Sequence, residues 1–252
     1  MPMLALTFAS GVSVALIFAR IFWTGNIRYG FLVWNLFLAW LPVIFSLLAA
    51  EKYHTTSGRD WRFLALSGAW LLFFPNAPYI FTDLVHLTTH FYPHFWVDLI
   101  LILSCALTGL VLGFVSLFLM QSVVSRMLGP LRSWIFVALV AALSGFGIYL
   151  GRFLRFNSWD VVFQPMKVYR GIGTWASDPL ANSTSFVFPA LFATFLFIAY
   201  LMLYALTHLR HAPQIQTERP MQNPEESDPL IPNNLEFKEL AIAPVISEPM
   251  AD

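Results

Sequence analysis

Charge is scarce in this chain. Asp, Glu, Lys and Arg together make up 11% of its 252 residues, while hydrophobic residues make up 58%; a soluble domain carries about 25% charged residues. A globule of this size needs a polar exterior that such a composition cannot provide, so a water-soluble fold is excluded. Cysteine is nearly absent. The single Cys105 rules out an intrachain disulfide and a thiolate metal cluster, and its apolar surroundings point to a small packed residue. The short alternating segments that a membrane β-barrel requires are missing. So is a basic leader with a small-residue cleavage site: the first apolar run ends at Arg20-Ile21-Phe22-Trp23, which reads as a retained span. No tandem or inverted repeat is evident, which weighs against a repeat-built transporter.

What is present is a set of six uncharged apolar runs: Met1–Ala19, Tyr29–Ala50, Phe63–Thr82, Leu99–Ser125, Ser133–Gly151 and Pro179–Thr207. Each approaches or exceeds the roughly 20 residues a helix needs to cross a bilayer, and helices satisfy their own backbone hydrogen bonds in lipid. The sequence therefore predicts an all-α, polytopic bundle of about six spans over residues 1–211. The zero net charge conceals an asymmetry. Residues 1–211 hold twelve Lys and Arg against six acids, and residues 212–252 hold eight acids against Arg219 and Lys238, with seven prolines. That acidic tail is expected to be disordered, since it has too little apolar surface to offset the entropy of ordering; a protein partner docking on it is the alternative.

Six spans place both ends of the membrane body on one side, face A, with Glu51–Arg62 and Arg126–Arg132. Face B receives Arg20–Arg28, the segment Asp83–Asp98 and the loop Arg152–Asp178. Leaving out Lys238 far along the tail, seven Lys and Arg lie on face A and six on face B. Setting aside Arg152 and Arg155 as site residues, the balance favours a cytoplasmic face A.

Polar residues in such a chain are costly, and they concentrate at face B. The third span runs into Pro75-Asn76-Ala77-Pro78-Tyr79, where two prolines remove backbone donors. This predicts either a kink with a new helix from Pro78, or a broken helix whose freed carbonyls line a ligand site. Next comes Asp83-x-x-His86-x-x-x-His90, then His94 and Asp98. At α-helical spacing Asp83, His86 and His90 share a face, which suits a proton relay, a polar ligand or, more weakly, a divalent metal. His94 and Asp98 lie together at the start of the fourth span. The second region is Gly151-Arg152-Phe-Leu-Arg155-Phe-Asn157-Ser158-Trp159-Asp160. Arg152 and Arg155, three apart at a helix end, read either as snorkelling arginines or as an anion pocket completed by Asn157 and Ser158. Asp160 is placed to pair with an arginine or a histidine. Gly109/Gly113 and Gly147/Gly151 have the spacing of close helix contacts.

The run Phe74-Pro-Asn-Ala-Pro-Tyr-Ile-Phe-Thr-Asp83-Leu-Val-His86-Leu, with Gly151 to Asp160, resembles a bacterial family of multispanning membrane proteins catalogued as a domain of unknown function (thirteen sixty-one). The likeness covers most of residues 30–205. It implies a bacterial cytoplasmic membrane and no particular reaction, and it groups Asn76, Tyr79, Asp83, His86, Arg152, Arg155, Asn157 and Asp160.

The expected site, with Asp98 nearby, lies at face B between the ends of spans three and five and the start of span four. Arg152 and Arg155 would hold an anion, Asp83 and His86 would exchange a proton, and Asn76 with a freed carbonyl near Pro75 would add neutral hydrogen bonds. Binding or transport of a polar or anionic molecule, or of a lipid headgroup, is the leading reading. One rival is a headgroup hydrolase or transferase with His86 as base and Ser158 as the only nearby nucleophile. The other is an accessory subunit whose polar residues form internal ion pairs. The expected partners are the bilayer, the anionic ligand and a protein at the tail. Nothing points to nucleic acid or to a particular cofactor.

Overall fold

The computed structural model describes residues 2–55, 60–87, 94–177 and 183–209. The acidic tail and His90 lie outside them. Among the described residues the chain is helical, with no strand: α1 (Pro2–Thr24), α2 (Phe31–Thr55), α3 (Trp61–Phe73), α4 (Asn76–Tyr79), α5 (Phe95–Leu128), α6 (Pro130–Arg152), α7 (Asp160–Phe163), α8 (Pro165–Ser177) and α9 (Ser183–Leu209). Among the described residues six stretches are long and apolar enough to cross a membrane: Met3–Thr24, Ile27–Thr55, Trp61–Leu87, Phe95–Leu128, Pro130–Arg152 and Ser185–Thr207. The protein is a multi-pass helical membrane protein. Its outward surface agrees: Phe8, Leu64, Ile100, Leu139, Leu191 and Met202 are all exposed, and bilayer lipid is the solvent that accepts them.

The first span runs beyond the expected Ala19. Nothing breaks α1 until Gly25, which takes φ +64 and returns its N–H to the Ile21 carbonyl at 2.8 Å, a left-handed helix stop suited to glycine. Arg20 therefore belongs to the helix and not to a loop.

Helix α5 is the centre of the bundle. Its 34 residues rise about 51 Å, and it packs against α1, α2, α6 and the end of the third span. One apolar core joins α1, α2 and the first half of α5 through Ile17, Leu32, Val43 and Ile102. A second joins the latter half of α5 to α3, α6 and α9 through Trp70, Leu117, Val137 and Tyr200. Hydrogen bonds cross between helices inside this packing: Trp70 Nε1 to Ser116 Oγ at 3.2 Å, Trp40 Nε1 to Ser10 Oγ at 3.1 Å, and Tyr200 to Gln121. Lipid offers no competing partner for such groups, so they fix register as well as adding energy.

The third span is interrupted after Phe73, and a new turn starts at Asn76. Helix α3 stops at Phe73, a single turn follows as α4, and Ile80–Leu87 continues as a 3₁₀ helix. Phe74, Pro75 and Ile80 all keep right-handed helical angles, so the chain tightens at the break instead of unwinding. Both glycine pairs serve this segment. A Cβ on Gly109 would stand 2.7 Å from the Ala77 carbonyl oxygen, and one on Gly113 would stand 3.2 Å from the Ala77 Cβ. On the opposite side, a Cβ on Gly147 would approach Pro75 to 3.0 Å, and one on Gly151 would approach the Tyr79 ring to 3.2 Å. Helices α5 and α6 thus receive the broken span between them.

Candidate functional site: a cleft at face B

Asp83 is buried on the 3₁₀ stretch. Its carboxylate accepts from Arg152 Nη1 at 3.0 Å and from Asn35 Nδ2 at 2.9 Å. His86, one 3₁₀ turn on, brings Nε2 to 3.8 Å from the same carboxylate and sets its ring edge-on to Phe31. The tight winding is what aligns the pair, because residues three apart eclipse in a 3₁₀ helix. Arg152, the last residue of α6, also lies over the Tyr79 ring, 5.9 Å from its centroid. Asn35 escaped the sequence reading. Its signal was a lone amide within the apolar run Phe31–Ala50.

Several expected groupings are not what the structure holds. Arg152 and Arg155 do not form one anion fork. The helix ends at Arg152, whose guanidinium is committed to Asp83, and Arg155 stands three residues beyond on a separate turn. Asp160 is buried, yet no arginine or histidine pairs with it among the described residues. It accepts the Asn157 backbone N–H at 2.8 Å and folds the loop around itself. Asn76 and the freed carbonyl satisfy each other: Asn76 Nδ2 donates to the Phe73 carbonyl at 3.0 Å and to Ser158 Oγ at 2.9 Å. Asp98 belongs to another cluster, where it accepts from Arg20 Nε at 2.6 Å and from the Tyr29 hydroxyl at 3.0 Å. His94 lines that cluster and packs at a tilt against Trp23, with ring centroids 4.8 Å apart. Of the weak metal set, Asp83 and His86 lie together, but no group of three or more possible ligands occurs among the described residues. Ser158 Oγ accepts from the Asn76 amide, and among the described residues no imidazole hydrogen-bonds to it.

Between α2, α3 and α6 lies a cleft of about 740 Å³, within the range of ligand pockets. Its walls are Leu71 and Leu72 of α3, Leu143, Phe146 and Leu150 of α6, and Trp34 of α2. At its face-B end stand Asn35, Asn76, Tyr79, Asn157, Ser158 and Arg155, with Phe156 and Val168 above. Arg155 is the only charged residue among the described residues lining the cleft. Its side chain is exposed, and its backbone holds φ +56, the sole positive φ outside glycine among the described residues. The Phe156 N–H returns to the Leu150 carbonyl at 3.1 Å, and the Asp160 N–H to the Asn157 carbonyl at 3.0 Å. The turn presenting Arg155 is therefore pinned on both sides.

A family model described as protein of unknown function (DUF1361) matches residues 34–199. The chain belongs to this family. The match takes in the cleft walls, the broken third span and the Arg152–Asp160 turn, but leaves out Arg20 and the acidic tail. No curated protein and no solved structure matches the chain.

Proposed function

We propose that the face-B cleft binds a ligand carrying a phosphate or carboxylate, held by Arg155 and flanked by the Asn157 and Ser158 side chains. The observation that carries this is the charge of the lining: among the described residues, one guanidinium and no carboxylate around an apolar chamber. Arg152 adds no net charge nearby because Asp83 neutralises it. A left-handed non-glycine residue is disfavoured by about 1–2 kcal/mol, and such outliers collect where a side chain is needed in place. With Arg20 and Arg152 held inside helices, the remaining Lys and Arg lie more heavily on face A. This supports cytoplasmic termini and a cleft opening toward the opposite leaflet.

The test is a titration of the purified protein in neutral detergent with sn-glycerol 3-phosphate, followed through tryptophan fluorescence, since Trp34 lines the cleft. A saturable response is expected from the parent. Loss of a charge-assisted hydrogen bond is worth about 1.5–3 kcal/mol, so Arg155→Gln should weaken binding by about 10- to 100-fold. Arg155→Gly should weaken it as much while melting at or above the parent temperature, because glycine relaxes the left-handed backbone. An unchanged titration in both variants would remove Arg155 from the site.

A further inference from the structure

The geometry points to a bilayer lipid as the ligand: an anionic phospholipid whose headgroup meets Arg155 and whose acyl chain lies in the groove between α3 and α6. This rests on the anion reading above and goes further in naming the class. A soluble anion needs only the polar end of the cleft. This cleft continues from there into the membrane interior along Leu150, Phe146 and Leu143. Leu143 to Gly151 on α6 covers about 12 Å at 1.5 Å per residue, most of the roughly 15 Å that one leaflet contributes to a 30 Å core. Three lining residues, Trp34, Gly68 and Leu143, are exposed although they lie well inside membrane-spanning stretches. The groove is therefore open sideways to the bilayer, where acyl chains are the solvent.

Polarity is ordered along it as it is along a phospholipid. The guanidinium and the amides of Asn76 and Asn157 stand at the membrane face, and the leucines and Phe146 lie below. A zwitterionic headgroup brings a quaternary ammonium beside its phosphate, a second cation next to Arg155; an anionic headgroup brings the phosphate charge alone. Gly68 marks the deep end. A Cβ placed there meets no atom within 4 Å, so a side chain can start from this lining position in open space, and a large one takes up room in the groove.

Native mass spectrometry of the full chain in neutral detergent tests this, with phosphatidylglycerol, phosphatidylcholine and sn-glycerol 3-phosphate as probes. The parent should retain phosphatidylglycerol in preference to phosphatidylcholine. Gly68→Phe should lower phosphatidylglycerol retention about tenfold, the loss of roughly one chain contact region, and leave glycerol phosphate binding unchanged. Arg155→Gln should lower both. Leu143→Trp narrows the same groove from α6 and carries the test if Gly68→Phe does not fold, as judged by its melting temperature. If groove-filled variants keep phosphatidylglycerol while Arg155→Gln loses it, the acyl-chain assignment is wrong and the anion site stands. If Arg155→Gln keeps both probes, the underlying anion reading is wrong. Equal retention of phosphatidylcholine and phosphatidylglycerol by the parent would overturn the charged-headgroup assignment.

Discussion

Asp83 and Arg152 come from different spans and meet at 3.0 Å with side chains 2% and 18% exposed. Their burial is unequal, and that makes the consequences of separating them unequal. Arg152→Gln leaves a nearly inaccessible carboxylate with Asn35 and the His86 imidazole. Asp83→Asn leaves a guanidinium that still reaches solvent and the Tyr79 face. Removing one partner of a buried pair costs about 3–5 kcal/mol. Arg152→Gln is expected near 3 kcal/mol, since the pair is not wholly dry, and Asp83→Asn is expected to cost less. The double variant should recover part of the larger loss, because no orphaned charge remains. Denaturant or thermal unfolding of the four proteins in detergent measures this, and strictly additive losses would mean that the two side chains touch without being coupled. The pair also explains why only one of the two arginines in the motif is available to a ligand.

The broken third span is seated closely against four glycines. Pro75 and Pro78 make the interruption legible in the sequence, and the spacing of Gly109/Gly113 and Gly147/Gly151 announces close contacts. The sequence does not say that the two signals belong to one feature, because helix partners are chosen in three dimensions. Gly109→Ala would push a methyl to 2.7 Å from the Ala77 backbone oxygen and 2.9 Å from Ile80 Cδ1. Overpacking of this kind costs about 1–3 kcal/mol. Gly68→Ala meets open space and should be neutral or stabilising by about 0.5–1 kcal/mol, the helix propensity difference. Melting temperatures of the two single variants should therefore move in opposite directions; a similar drop in both would mean that the close seat at Ala77 is not what the glycine provides. Other elements were less legible. An α-helical stripe through Asp83 and His86 was a fair reading of their spacing, but Ile80–Leu87 winds as 3₁₀. Spacing alone puts Arg155 on the face of Arg152; no glycine or proline follows Arg152 before Pro165 to mark the helix stop, and the left-handed residue there is the arginine itself. The Arg20–Asp98 pair spans 78 residues of sequence, and no spacing rule reaches that far.

At the scale of the molecule, the two ion pairs constrain how the chain threads the membrane. Arg152 with Asp83 joins the end of span five to the end of span three. Arg20 with Asp98 joins the end of span one to the start of span four. Strict up-and-down alternation puts all four of these ends on face B, so both contacts agree with six crossings; an undetected extra crossing between any two of them would force a buried ion pair across the full membrane. Single cysteines make the alternation measurable, since native Cys105 is fully buried and should stay silent. Thr55 and Arg132 are exposed where chain turns lie on face A, and Ile27 and Gln164 are exposed on face B. An impermeant thiol reagent on intact cells should label cysteines at 27 and 164 and spare those at 55 and 132. The reverse pattern would keep the threading and invert the orientation, turning the cleft toward the cytoplasmic leaflet. Labelling of 27 and 164 from opposite sides would break the alternation itself, and with it the shared face on which Asp83, Arg152 and Arg155 assemble.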